Sequence, residues 1–344
     1  MSTFGMALAG GGARGAYSAG LIRYLYTELP KVIGFHPWPK VVSGTSAGAL
    51  NGYFAASQSL LEIHRCTELW TQFSVEQVYK LPFEGILHLI PDLRGVAKRS
   101  ALLDPSPLGK LIEQEAARRT IRHSIGSGKC QAFIISATQL HGGQNVLFID
   151  TSDPNFTIPP PPHGRLVYHK LYPAHLMASS AIPLVFPPVD IDGVKYLDGG
   201  LRQNVPLHPL VQGKMSKILV LGTKVMKPAP TNPGKSSLSL IAGKTLNALT
   251  LDPVERDNLV AERINSIIDW GVQNFGPEFA QKLKADLGLE HIEILHLRPS
   301  IDLGKLAIDA YNEHSIEGSK QLKWFLHKIY RQAEDTGESD LLSH

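Results

Sequence analysis

A serine stands between small residues in the stretch Gly44-Thr45-Ser46-Ala47-Gly48, which follows the pattern Gly-x-Ser-x-Gly. Two apolar residues before it, at 41 and 42, predict a short strand, and a small-residue helix is predicted from about 49 to 56. In this setting the pattern is typical of a nucleophile elbow, a strained turn that presents a serine hydroxyl to a substrate. Gly44 and Gly48 allow the tight backbone, and the N–H of Ala47 can donate to an oxyanion. The pattern predicts Ser46 as the nucleophile of an acyl transfer.

A glycine-rich loop, Gly10–Gly15, lies between a predicted strand at 4–9 and a predicted helix at 16–29 that ends at Pro30. Its spacing also matches a dinucleotide-binding loop, which needs an acidic residue about 20 positions later, at the end of the next strand. That position is near Phe35, and the next strand leads into the serine turn, so we disfavour a nicotinamide or flavin site. Free N–H groups at a helix start also suit an anionic tetrahedral intermediate, with Gly11 and Gly12 as the main donors.

A serine nucleophile needs a base, and histidine is the usual one. The chain has 14 histidines, none in a convincing signature; His208 follows Asp198 closely between prolines. Asp198 is better placed, because it ends a predicted strand at 193–197 and Gly199 and Gly200 leave room around its carboxylate. Glycines beside a carboxylate also occur in plain turns, so this position alone does not distinguish a base.

Taken in this order, the glycine loop, the serine turn and Asp198-Gly199-Gly200 resemble the motifs of the patatin-like phospholipases. Supporting segments are Ala178–Pro183, Val185–Pro188, Asn204–Pro206, Leu246–Asp257 and Leu297–Leu303. The motif-bearing resemblance covers residues 4–225 and continues more weakly to 310.

The resemblance implies a Ser–Asp dyad without histidine, in which Ser46 is the nucleophile and Asp198 the general base. It implies an oxyanion hole at Gly10, Gly11 and Gly12, supported by Arg14 and Gly15, and an elbow framed by Gly44 and Gly48. We expect Arg14 to anchor the loop, with contact to a lipid phosphate as the alternative. No cofactor and no metal are expected. Ala9 stands where many members have aspartate before the glycines, and Gly200 where alanine is frequent; neither change removes a reacting group.

The order of elements predicts an α/β fold. Strand, glycine turn and helix occur twice within the first sixty residues, as in a parallel sheet with helices on its faces. Further strands are predicted at 131–137, 145–149, 217–222 and 293–297, and a helix at 174–181. We therefore expect a three-layer α/β/α fold with a central, mostly parallel sheet over 4–225. A linker or surface loop at 226–237, a mainly helical extension packed on the catalytic domain at 238–332 and a disordered tail at 333–344 are expected to follow.

The composition of the chain indicates which binding partners and which cellular compartment to expect. The net charge is only +3, too small an excess to indicate nucleic-acid binding. Cys66 and Cys130 are too few for a disulfide framework and indicate reduced thiols. No signal peptide and no apolar run of about 18 residues are present, so we expect a cytoplasmic protein with peripheral membrane contact. The stretch Leu81–Leu103 is interpreted as an amphipathic cap on the core, with an interfacial flap as the alternative.

The expected function is lipid acyl hydrolysis of the phospholipase A type, on carboxyl esters of phospholipids or lysophospholipids, through an acyl-enzyme. A soluble carboxylesterase or thioesterase with the same dyad is the first alternative. An acyltransferase and an inactive regulatory scaffold are less favoured. The sequence predicts no oligomeric state.

Overall fold

The structure is a computed structural model that describes residues 4–80, 101, 103–225 and 253–313. The strands are β1 (Phe4–Leu8), β2 (Val41–Thr45), β3 (Ala132–Gln139), β4 (Asn145–Thr151), β5 (Gly164–Tyr168), β6 (Val189–Ile191), β7 (Val194–Asp198), β8 (Lys217–Leu221) and β9 (Glu293–Leu297). The helices up to residue 225 are α1 (Gly15–Thr27), α2 (Leu29–Ile33), α3 (Ala47–Ala56), α4 (Leu60–Gln72), α5 (Val75–Val78), α6 (Ser106–Ala116), α7 (Thr120–Gly126), α8 (Pro173–Ser179) and α9 (His208–Gln212). After the gap come α10 (Pro253–Phe275), α11 (Glu278–Leu287) and α12 (Leu303–Glu313).

The strands form one sheet in the order β5-β4-β3-β2-β1-β8-β9, with β7 joined to β3 and β6 joined to β7. From β3 to β9 along this order, neighbouring strands are parallel, whereas β4 runs antiparallel to β3. The predicted, mostly parallel central sheet is confirmed. Because parallel strands end at the same edge, the segments that follow β1, β2 and β8 meet there, which is where open α/β sheets place their ligands.

The register of β3 brings the end of β7 next to the end of β2. β2 pairs with β3 up to Thr45 opposite Ser136. β7 then runs along the next residues of β3, antiparallel, with Asp198 opposite Ala137. Because β4 occupies the other edge of β3, β2 and β7 share one edge and point at each other end to end. Neighbouring residues of a strand lie about 3.3 Å apart, so the residue after Thr45 and Asp198 are adjacent.

Alternate residues of the central strands pack against two separate layers. Met6 and Leu8 of β1 belong to a core cluster that includes residues of α1, α3, α4, α6 and α7. Ala7, between them, belongs to a cluster on the opposite face with Leu207 and Leu210 around α9. Strands buried on both faces are apolar throughout, which is why the short runs at β1 and β8 were recognisable. The two layers and the sheet form the predicted three-layer α/β/α fold, and this prediction is confirmed.

Part of the chain after the gap joins this sheet. β9 adds a parallel strand to β8, and the Asn265 side chain of α10 bonds both the carbonyl and the N–H of Ile292, just before β9. The domain boundaries remain predictions. The predicted linker at 226–237 and tail at 333–344 lie outside the described residues, as does the stretch 81–103 apart from residues 101 and 103.

The helix predicted over 16–29 is in fact two helices. α1 ends at Thr27, and Pro30 lies in the first turn of α2 rather than terminating a helix. The N–H groups of a first turn have no acceptor within the helix, so proline costs little there.

The strands β5 and β6 were not predicted, because neither has an apolar run: β5 is half-buried and β6 is three residues long. Within the described ranges, no helix combines the length and apolar composition needed to cross a bilayer.

Candidate active site

Ser46 is the single residue between β2 and α3, and its backbone has φ 54° and ψ −128°. A residue that has a side chain is strained at a positive φ. Such backbone strain persists only where the surrounding structure holds the residue in place, which is often at functional sites. The two flanking glycines let the turn close. A Cβ on Gly44 would lie 2.4 Å from the carbonyl oxygen of Gly48, and one on Gly48 would lie 2.4 Å from that of Leu8. The predicted elbow therefore has the tight backbone that its pattern requires.

A chain of hydrogen bonds holds the strained serine from behind. The Ser46 N–H donates to Ser179 Oγ of α8 at 2.9 Å, and the Ser179 hydroxyl donates to the carbonyl of Ser136 on β3 at 2.7 Å. The Ser46 carbonyl accepts the N–H of Ala49 at 2.8 Å, which starts α3. Sequence reasoning gave Ser179 no role, because its partners are 133 and 43 residues away. The serine is thus fixed by both the sheet and α8.

Asp198 faces this serine in a buried position, with 2% of its surface exposed. The Ser46 hydroxyl donates to its carboxylate, and the Gly200 N–H donates to Oδ1 at 2.7 Å. Burial raises the pKa of Asp198 to about 6, and the two hydrogen bonds oppose this rise. A carboxylate with this pKa is a stronger base than an ordinary aspartate, and it is still ionised at neutral pH.

Histidine takes no part in this pair. Among the described residues, neither Ser46 nor Asp198 is hydrogen-bonded to a histidine. His175 is buried on α8, where its Nδ1 accepts the Tyr172 N–H at 3.2 Å. His208 contacts the carbonyl of Pro159 through Nε2 at 2.9 Å.

The glycine loop lies against Ser46. A Cβ on Gly10 would lie 3.2 Å from Ser46 Cβ and 2.5 Å from Asn204 Oδ1, so only glycine fits without a shift. The Gly10 N–H donates to the Asn204 carbonyl at 3.2 Å, which corrects the expectation that it is a free donor. The N–H groups of Gly11 and Gly12 have no acceptor among the described residues. The N–H groups of Gly11 and Gly12 are therefore available to a ligand.

A comparison with models of protein families assigns this chain to a family. The model of the patatin-like phospholipases matches residues 6–211, which is more than half of the chain. The chain belongs to the patatin-like phospholipase family. Members of this family are lipid acyl hydrolases. The matched range contains the glycine loop, Ser46 and Asp198. A search of curated proteins finds no match.

In this patatin-like chain, Asn51 ties the glycine loop to the helices around it. Its Nδ2 donates to the Gly15 carbonyl at 2.8 Å and to Ser18 Oγ at 2.9 Å. Its Oδ1 accepts the Trp70 indole N–H at 2.7 Å. Asn51 joins α1 to α3 and α4 just behind the loop and the elbow. Sequence reasoning missed it, although an asparagine in an otherwise apolar helix is a signal that could have found it.

Arg14 is buried beside the loop of this patatin-like chain, with 9% of its surface exposed. Its N–H donates to the Gly11 carbonyl at 3.1 Å and closes a short turn. Its role as loop anchor stays a prediction. In the part of the chain that the structure describes, no three His, Cys, Asp or Glu side chains are grouped as metal ligands would be.

Proposed function

We propose that this protein hydrolyses carboxyl esters of phospholipids or lysophospholipids through a Ser46–Asp198 dyad and an acyl-enzyme. The observation that carries the proposal is the hydrogen bond from the strained Ser46 hydroxyl to the buried Asp198 carboxylate. A nucleophile bonded to its base, next to unused N–H donors, is the arrangement that acyl transfer requires. Membership in a family of lipid acyl hydrolases supports the choice of substrate.

In the first half of the proposed reaction, the Ser46 oxygen attacks the ester carbonyl carbon and its proton passes to Asp198. The carbonyl oxygen becomes an oxyanion, which accepts hydrogen bonds from the N–H groups of Gly11 and Gly12. The N–H of Ala47, at the start of α3, is a further donor. The intermediate then collapses, the bond to the alcohol breaks, and Asp198 returns its proton to the departing oxygen. The acyl group is left on Ser46.

In the second half, water takes the place of the alcohol. Asp198 removes a proton from the water as it attacks the acyl-enzyme, and the same glycine N–H groups stabilise the second oxyanion. Collapse releases the fatty acid and returns the proton to Ser46. One carboxylate can serve both halves because its pKa of about 6 lets it gain and lose a proton near neutral pH.

The test is to incubate the purified protein with mixed phospholipid vesicles and identify the released products by mass spectrometry. We expect fatty acid and lysolipid from the wild type and none from Ser46→Ala. Equal release by the folded Ser46→Ala variant would reject the dyad. Release from soluble p-nitrophenyl esters alone, still dependent on Ser46, would favour the carboxylesterase or thioesterase alternative.

A further inference from the structure

Thr223 lies two residues past the end of β8, with its side chain buried against the glycine loop. It has 3% of its surface exposed, and its hydroxyl donates to the carbonyl of Gly10 at 2.8 Å. A Cβ on Gly11 would lie 2.6 Å from Thr223 Oγ1 and 3.0 Å from Thr223 Cβ. The Thr223 side chain therefore lies against the peptide unit that joins Gly10 to Gly11.

This peptide unit carries one of the N–H groups proposed to bind the oxyanion. The carbonyl of Gly10 and the N–H of Gly11 belong to the same planar, trans peptide, in which the two groups point in opposite directions. Because the carbonyl is directed at the Thr223 hydroxyl, the Gly11 N–H is directed away from it. That N–H has no acceptor among the described residues. A bond that fixes the carbonyl therefore also fixes the direction of this donor.

The Gly10 backbone is held from a second direction as well. Its N–H donates to the carbonyl of Asn204 at 3.2 Å, and a Cβ on Gly10 would lie 3.2 Å from Ser46 Cβ. Glycines have no side chains that would restrict their backbone, so a glycine loop keeps one conformation only if bonds from other segments hold it. Asn204 and Thr223 supply two such bonds, at the glycine that lies beside Ser46.

Thr223 extends from a strand end that is fixed on both sides. The N–H of Gly222, the residue before it, donates to the carbonyl of Leu297 at the end of β9, at 2.9 Å. On the other side of β8, the Ala9 N–H donates to the carbonyl of Leu221 at 3.0 Å. Because β1 and β9 hold this strand end, the Thr223 hydroxyl can orient the loop instead of following its movements.

The same hydroxyl makes the Gly11 N–H a stronger donor. Hydrogen bonds in a chain polarise one another, and the effect is larger in a buried site than in water. A donor at the Gly10 oxygen draws electron density toward that oxygen and leaves the N–H at the other end of the amide more positive. The gain is largest when a full negative charge forms on the substrate oxygen, which happens in the transition state.

We propose that Thr223 is a positioning residue of the oxyanion hole, whose hydroxyl orients and polarises the Gly10–Gly11 peptide so that the Gly11 N–H meets the developing oxyanion. This inference rests on the proposed function, in which Gly11 is an oxyanion donor. Thr223 acts through the peptide and contacts neither the substrate nor the reacting atoms. Its effect is therefore on turnover, not on substrate binding.

The experiment measures kcat and KM for p-nitrophenyl butyrate in the wild type, Thr223→Val and Thr223→Ser. Valine keeps the shape of threonine without the hydroxyl, whereas serine keeps the hydroxyl and loses only a methyl group. Thr151→Val is the matched control, because the Thr151 hydroxyl also donates to a backbone carbonyl, that of Gln131 at 2.6 Å. Thr151 lies at the far edge of the sheet, since it pairs with Ala132, which pairs in turn with the first residue of β2.

We expect Thr223→Val to lower kcat by roughly tenfold and to leave KM within about twofold of the wild type, because the lost interaction is made mainly in the transition state. Thr223→Ser should retain most of the wild-type kcat. Thr151→Val should retain it too, although it lowers the temperature of thermal unfolding. If Thr223→Val does not fold in that assay, Thr223→Ser and Thr223→Ala give the same comparison, since they differ only in the hydroxyl.

Three results would overturn the inference while hydrolysis that depends on Ser46 stands. They are a wild-type kcat in the variants without the hydroxyl, an equal loss of kcat in Thr223→Ser, and an equal loss in Thr151→Val. Absence of hydrolysis that depends on Ser46 in the otherwise unchanged protein would overturn the proposed function together with the inference.

Discussion

Replacing Asp198 with asparagine should make the protein more stable at neutral pH while it removes the proposed base. Burial raises the pKa of Asp198 from 3.8 to about 6, so the ionised carboxylate is disfavoured in the folded state relative to the unfolded chain. One pKa unit corresponds to about 1.4 kcal/mol, which makes the penalty about 3 kcal/mol. Asparagine has the same shape and no charge. It can still accept the Gly200 N–H, but the Ser46 hydroxyl loses its acceptor, at a cost of about 1 kcal/mol.

The sign of the pH dependence follows from the raised pKa. Below a pH of about 4, Asp198 is protonated in both the folded and the unfolded state, and the penalty is absent. As the pH rises through the folded-state pKa of about 6, the folded protein loses this stability. The free energy of unfolding of Asp198→Asn should therefore exceed that of the wild type by about 2 kcal/mol above pH 7. The difference should shrink as the pH falls toward 4.

Urea unfolding of both proteins between pH 4.5 and 8 measures this difference, and taking the difference cancels the groups that titrate alike in both. Asp309→Asn is the control, because Asp309 is exposed on α12 and solvent screens an exposed carboxylate. Turnover of a soluble ester should fall by roughly 10²–10⁴ in Asp198→Asn. A stability difference that does not change with pH, or a variant less stable than the wild type at pH 7.5, would refute the reasoning.

The site makes three further predictions. Because Asp198 must be ionised to act, kcat/KM for a soluble ester should fall about tenfold per pH unit below about pH 6; a profile flat to pH 4.5 would contradict this. Ser46→Gly and Ser46→Ala should both be inactive, but the glycine variant should be about 1 kcal/mol more stable in urea unfolding, because it relieves the strain at φ 54° by more than it loses in unfolded-state entropy. Equal stabilities would show that the turn is unstrained. Gly11→Ala should lower kcat at least tenfold, because its Cβ would lie 2.6 Å from Thr223 Oγ1 and displace the donor loop. Gly20→Ala, whose Cβ meets nothing within 4 Å, should retain activity.

Features encoded by neighbouring residues were predictable from sequence. The elbow at Ser46 and the glycine loop each combine an apolar strand, a glycine turn and a helix within about twenty residues, and each has the predicted form. The central strands were found because burial on both faces makes them apolar throughout. Asp198 was singled out from a strand end and two glycines, and its role as the base, which the family resemblance implies, stays a proposal.

Features encoded by distant contacts were not predictable in the same way. Ser179 and Asn51 are ordinary small polar residues in sequence, and their bonds join helices that only the folded chain brings together. The engagement of the Gly10 N–H by the Asn204 carbonyl is likewise a contact between separate loops. The prediction that the first helix ends at Pro30 was wrong. Proline is excluded from a helix interior but accepted in a first turn, so Pro30 could equally mark the start of a second helix.

The end-to-end meeting of β2 and β7 on β3 gives Ser46 and Asp198 a common support. Thr45, the residue before Ser46, pairs with Ser136 of β3, and Asp198 pairs with the next residue, Ala137. Bending or twisting of the sheet therefore moves Ser46 and Asp198 together and preserves the distance between them. A substitution that shifts β3 as a whole should therefore keep the two side chains at the same distance, whereas one that changes the pairing of β7 with β3 should alter it.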